Sequence, residues 1–102
     1  MEIGRAFDSV ELHDIFRAHF VERAELFGSA ATGAFTNQSD VDILVTFSAE
    51  LPILDYAENF FDLKDQLELK FGRRVDLVSI NSLKNPALIE AINQHKRLLY
   101  AA

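Results

Sequence analysis

Three aspartates interrupt stretches of chain that are otherwise apolar. Asp40 and Asp42 flank Val41, and Asp76 sits between Val75 and Leu77. Side chains at i and i+2 of a strand lie on one face. If Val41, Ile43 and Val45 take one side, then Asp40, Asp42, Leu44 and Thr46 form the opposite row, which begins with two carboxylates. Like charges so close drive each other toward protonation unless a cation neutralises them. Mg²⁺ prefers oxygen ligands, and three carboxylates on one sheet face can hold one or two ions for in-line displacement at phosphorus. Asp76, from a second apolar stretch, is the candidate third member.

A phosphate site is suggested upstream, at Gly28-Ser29-Ala30-Ala31-Thr32-Gly33. Small residues after a strand let the backbone approach a phosphate, and a helix starting there offers N–H groups to an anion. Ser29 adds a hydroxyl that both donates and accepts. Each feature alone has an ordinary reading. Gly28-Ser29 is a common strand-ending turn, Ser39-Asp40-Val41-Asp42 could cap a strand and leave Asp42 solvated, and Asp76 could alternate outward. Their conjunction in one short chain is what points to nucleotide chemistry.

Helices and strands in alternation must position these groups. Asp8 or Ser9 can cap an amphipathic helix through Leu12, Ile15 and Phe16. Val21–Phe27 reads as a strand stopped at Gly28-Ser29, and Val41–Phe47, rich in β-branched residues, as the strongest strand of the chain. A long helix is expected from Pro52 to about Lys70, ended by Gly72. Arg74–Ile80 reads as a further strand and Pro86 to about His95 as a last helix, with Leu98-Leu99-Tyr100 as a final strand or a docked helix end. The fold class expected is α/β (α+β), a small mixed sheet covered by helices.

The composition agrees. The chain has 102 residues, 49% hydrophobic, which bounds it to a single domain over 1–102 with a real core. The absence of cysteine excludes a disulfide framework, thiol catalysis and thiolate zinc sites, and suits a cytoplasmic setting. No apolar run approaches a membrane span and no signal peptide is expected. Ten Lys+Arg against sixteen Asp+Glu give a net charge of −6, which argues against gripping long nucleic acid by the surface but not against a nucleotide that arrives with its metal.

Other candidates are weaker. His13, His19 and His95 form no metal-ligand spacing. Arg73-Arg74 could reach phosphates or simply flank a strand in solvent, and Lys96-Arg97 suits dipole compensation for the last helix. Tyr56 and Phe60-Phe61 read as core or partner interface. Nine Phe in so small a chain suggest that some apolar surface is covered by another chain, in a homo- or hetero-oligomer.

Gly28-Ser29, ten intervening residues and Asp40-x-Asp42 resemble the GS-x10-DxD signature of the DNA polymerase β-like nucleotidyltransferase superfamily. The string LFGSAATGAFTNQSDVDILV, with RRVDLVS later, is similar to its minimal nucleotidyltransferase (MNT) group, encoded beside HEPN-domain partners. The resemblance implies a nucleotidyltransferase, polymerase β-like palm fold. It implies that Asp40 and Asp42 hold the catalytic metal, and that Asp76 binds metal or acts as base. Gly28, Ser29, Thr32 and Gly33 would line the donor phosphates.

By the same resemblance, Mg²⁺ and ATP serve transfer of AMP to a tyrosine hydroxyl of a HEPN toxin, with this chain as antitoxin of a type VII-like toxin–antitoxin pair. One position departs from the pattern: many members carry a basic or amide side chain, often arginine, where this chain has Thr32, which can hydrogen-bond a phosphate but not neutralise it. Arg73, Arg74 and a partner residue are the candidates to compensate for that missing charge. The alternative reading is a non-catalytic antitoxin that neutralises a HEPN ribonuclease by complex formation.

Overall fold

The computed structural model describes residues 9–32, 36 and 38–102. Helix α1 (Val10–Ala18) leads to strand β1 (Val21–Phe27), a single helical turn α2 (Ser29–Thr32) and β2 (Val41–Phe47). A 3-10 turn (Ile53–Asp55) then opens α3 (Tyr56–Phe71), followed by β3 (Val75–Ser79), a second 3-10 turn (Ile80–Ser82), α4 (Pro86–His95) and β4 (Arg97–Ala101). The sheet order is β3-β2-β1-β4. β1 runs antiparallel to β2 and β4, whereas β2 and β3 are parallel. The sheet is therefore mixed, as expected, and the apolar tail is a true edge strand.

Local chemistry sets the element ends. The Ser9 hydroxyl accepts the Leu12 amide at 3.1 Å and starts α1. Asn85 caps α4 by accepting the Ala87 amide at 3.0 Å, with Pro86 as the first helical residue. Gly72, at φ +67°, ends α3 in the left-handed conformation that glycine adopts without penalty. The long helix begins later than expected: Pro52 is extended at ψ 137°, and regular α-helix starts only at Tyr56.

The main core lies on one face of the sheet. Leu12 and Phe16 of α1 and Leu63, Leu67 and Phe71 of α3 pack with Ala24, Leu26, Val41, Ile43, Val45 and Val75 of the strands. Each such side chain contributes about 1.5–3 kcal/mol by leaving water. Leu44 is buried as well but faces the other way, where it lines a cavity of about 190 Å³ with Ile89 and Ile92 of α4. α4 thus covers part of the face on which the carboxylates stand.

Candidate active site

Strand β1 ends against the start of β2, with Phe27 opposite Asp42. Gly28 follows at φ +65°, and its carbonyl accepts the Ala31 and Thr32 amides at 3.2 and 3.3 Å to form α2. A Cβ added at Gly28 would overlap the Asp42 carboxylate and stand 3.1 Å from its Cγ. Both the backbone conformation and the space therefore require glycine here. Thr32 is exposed, and its hydroxyl donates to the Ser29 carbonyl at 3.4 Å. Gly33, the remaining candidate phosphate contact, lies outside the described residues.

The parallel register places Asp42 directly beside Asp76, just as it pairs Val41 with Val75 and Ile43 with Leu77. Those valines, Ile43 and Leu77 fill the core, so alternation turns both aspartates to the opposite face. Asp40 precedes β2 and is exposed. Burial raises the Asp42 carboxyl from 3.8 to about 6, helped by the negative charges of Asp76 and then Asp40 and by a hydrogen bond with Asp76. Asp42 thus lies within the electrostatic reach of both Asp76 and Asp40.

Among the described residues, no three His, Cys, Asp or Glu side chains converge into a ready-made ion cage. The donor set nonetheless suits a hard divalent cation. Mg²⁺ is usually bound through one or two carboxylates plus substrate phosphates, not by an all-protein cage. Asp42 carries the electrostatic signature of crowded carboxylates that such a cation relieves.

Arg73 supports this arrangement from behind. Its Nη1 donates to the carbonyls of Thr36 at 3.0 Å and Ser39 at 3.2 Å, while the Ser39 hydroxyl accepts the Thr36 amide at 2.9 Å. The Val41 amide donates to the Arg74 carbonyl at 3.0 Å. The start of β3 therefore fixes the loop that delivers Asp40. Of the two arginines considered for phosphate contact, Arg73 is occupied in holding this loop.

The sequence reading passed over Glu25, which shares the stretch Val21–Phe27 with Glu22 and Arg23 and so stands out less than Asp76 between Val75 and Leu77. Its side chain is only 5% exposed and lies 3.3 Å from Lys96 Nζ and 3.5 Å from Arg23 Nε. Lys96 does terminate α4, its amide donating to the Ile92 carbonyl at 3.0 Å, but its ammonium is directed to Glu25. His19 is buried, bonded to Asp62 Oδ2 at 2.6 Å and to the Ile15 carbonyl at 2.7 Å. His13 packs against the Tyr100 ring, and His95 is exposed.

The aromatic cluster divides. Phe47, Tyr56 and Phe60 pack ring to ring, whereas Phe61 is 61% exposed beside Ile53 at 87% and Leu54 at 94%. Tyr56, Phe60 and Phe61 line a cavity of about 330 Å³ together with Leu77 and Val78. Among the described residues no helix is long and apolar enough to cross a membrane.

The sequence pattern of the polymerase beta, nucleotidyltransferase family matches residues 11–102. The chain belongs to this nucleotidyltransferase family. The protein adenylyltransferase MntA of Thermococcus cleftensis is 41% identical over 83 residues, covering 74% of this chain and 80% of that protein. A solved structure provisionally described as a minimal nucleotidyltransferase is 34% identical, with a TM-score of 0.66 over 85% of this chain and 84% of the other. A chain from the complex of tri-AMPylated Shewanella oneidensis HEPN toxin with MNT antitoxin is 20% identical, with a TM-score of 0.61 over 90% of this chain and 68% of that one. At that identity the likeness speaks for the fold. The nucleotidyltransferase fold and the enzyme class implied by the resemblance are thus both met.

Proposed function

We propose that this nucleotidyltransferase uses Mg²⁺ and ATP to transfer AMP to a tyrosine hydroxyl of a HEPN-domain toxin, acting in the cytoplasm as the antitoxin of a type VII-like pair. The observation that carries the reading is Asp42, in register with Asp76 on one side and against Gly28 on the other. A triphosphate laid on the Gly28-Ser29 turn would have its α-phosphorus beside carboxylates. The relative named as a protein adenylyltransferase, and the complex that pairs an MNT antitoxin with an AMPylated HEPN toxin, support the choice of AMP and of partner.

Asp40, Asp42 and Asp76 would hold Mg²⁺, which when bound neutralises the polyphosphate and polarises the reacting phosphoryl group. Gly28 and Ser29, with Thr32 and Gly33 at the rim, would orient the phosphates. Asp76, on the edge strand, is open to an arriving protein and can take the proton of the acceptor hydroxyl. The acceptor oxygen bonds to the α-phosphorus as the bond to pyrophosphate breaks. The chain's contribution is positioning and charge, without a covalent enzyme intermediate. Ile53, Leu54 and Phe61 are exposed, and Asp55, Glu58 and Asp62 of the same segment add acids, a composition that suits a partner with apolar anchors and basic flanks.

Labelled ATP, Mg²⁺ and the HEPN protein encoded beside this chain provide the test. Wild type should label the toxin and Asp42→Asn should not. One observation favours a second reading, neutralisation by binding alone: Thr32, beside the Gly28-Ser29 turn, is neutral and its hydroxyl donates to the Ser29 carbonyl. Equal absence of label with both proteins, together with full toxin neutralisation by Asp42→Asn, would establish that reading instead.

A further inference from the structure

We propose that Lys96 is the cation of the donor site, swinging from Glu25 to the β- and γ-phosphates of the nucleotide and supplying the charge that Thr32 lacks. This rests on the reading of the chain as a nucleotidyltransferase with ATP as donor. Strand β4 pairs antiparallel with β1, and its first residue, Arg97, lies opposite Leu26; that register continued by one residue past the strand would set Lys96 beside Phe27. Phe27 pairs with Asp42, and Asp42 with Asp76. One line therefore crosses the sheet: Asp76, Asp42, Phe27, Lys96. At about 4.8 Å between strands, the Lys96 backbone is roughly 5 Å from Phe27 and roughly 10 Å from Asp42. The Gly28-Ser29 turn leaves the sheet between the acids and this lysine.

The ammonium stands on the same face as the acids. Glu25 shares a face with Phe27, two residues on along β1, and pairs with Leu44, itself two residues beyond Asp42. Lys96 Nζ is held 3.3 Å from the Glu25 carboxylate, yet the lysine side chain remains 35% exposed. Glu25 also has Arg23 Nε at 3.5 Å. When an anion draws Lys96 away, the buried carboxylate is therefore not left alone, which removes the main penalty against such a swing.

The alternatives are committed or misplaced. Arg73 holds the Thr36 and Ser39 carbonyls, and Arg74 comes just before the far edge strand that carries Asp76. A polyphosphate on the Gly28-Ser29 turn thus has carboxylates and their metal on one side and Lys96 on the other. A flexible ammonium suits that task as a point charge on a movable stem.

Calorimetric titration of the whole chain with Mg²⁺ and either a non-hydrolysable ATP analogue or AMP tests the assignment. Glu25→Gln with Lys96→Gln neutralises both members at once, so no buried charge is orphaned. That variant should bind the ATP analogue about tenfold more weakly, as for one lost charged hydrogen bond, with AMP affinity unchanged. Glu25→Gln alone frees the lysine and should bind the analogue at least as tightly as wild type, and Lys96→Arg should retain most of the affinity. Should the double variant fail to fold, Lys96→Met, which leaves Glu25 with Arg23, gives the same comparison. Unchanged ATP affinity, or an equal loss for ATP and AMP, overturns the assignment and leaves Lys96 a structural counter-ion. Wild type that binds no ATP analogue refutes the ATP-donor reading itself, and this inference with it.

Discussion

Gly28 lies directly against the Asp42 carboxylate, so the turn that would cradle phosphates and the acid that would hold metal share one small volume. Their separation in sequence hides this contact, because the antiparallel pairing of β1 with β2 brings the end of one strand to the start of the other. Gly28→Ala would put a side chain at φ +65° and drive a methyl into Asp42. A loss of about 2 kcal/mol is expected from the backbone conformation alone. Denaturant unfolding should show that loss, and AMP transfer should fall below detection. A variant with wild-type transfer would mean that phosphates do not rest on this turn.

Asp42 gives a pH dependence with a definite sign. Its folded-state pKa of about 6 lies above the ordinary 3.8. At pH values below both, it is protonated whether folded or not and has no effect. Between them the folded protein keeps a proton that the unfolded chain has released, so stability falls as pH rises, and the loss is complete above about 6. Asp42 is partly exposed, so solvent screening reduces the effect to roughly 1 kcal/mol. Metal-free Asp42→Asn should match wild type in acid and melt about 5 °C higher at pH 8. Mg²⁺ should narrow that gap by stabilising wild type only. An Asn variant that melts well below wild type at pH 8 would contradict the crowded-carboxylate geometry.

The strands were legible from local patterns: β-branched runs at Val41–Phe47 and Val75–Ser79, with an aspartate in each that no buried strand would tolerate on its core side. The register between those strands was not, since a parallel pair depends on packing contributed by α3. The role of Arg73 was equally hidden, because its partners Thr36 and Ser39 lie 37 and 34 residues away. Glu25 with Lys96 is a still longer pairing, created when α4 crosses the carboxylate face and hands the chain to β4. Local chemistry names the acids, whereas the groups that hold or balance them come from distant segments.

Arg73→Ala should therefore act on the site without touching substrate. It removes the donor shared by two carbonyls of the loop that delivers Asp40. Stability should fall by about 1 kcal/mol, and the Mg²⁺ concentration for half-maximal transfer should rise severalfold as Asp40 loses its fixed position. Arg73→Lys should restore little, since both bonds come from Nη1 and the lysine ammonium is carried on a stem one atom shorter. Unchanged metal dependence would confine Arg73 to folding.

Thr32→Arg asks how much charge the donor site lacks. Thr32 is exposed on α2, so a longer side chain meets no packing barrier there. A guanidinium at this position can form charge-assisted bonds to phosphate that the hydroxyl cannot. KM for ATP should drop roughly fivefold, with kcat changed less, because the gain is in binding shared by ground and transition states. The effect also depends on Lys96. If the lysine already serves the phosphates, Thr32→Arg should help less in wild type than in the Glu25→Gln, Lys96→Gln background, since two cations compete for one polyphosphate and their contributions do not add. Equal gains in both backgrounds would show that Lys96 and the Thr32 position act on different parts of the nucleotide.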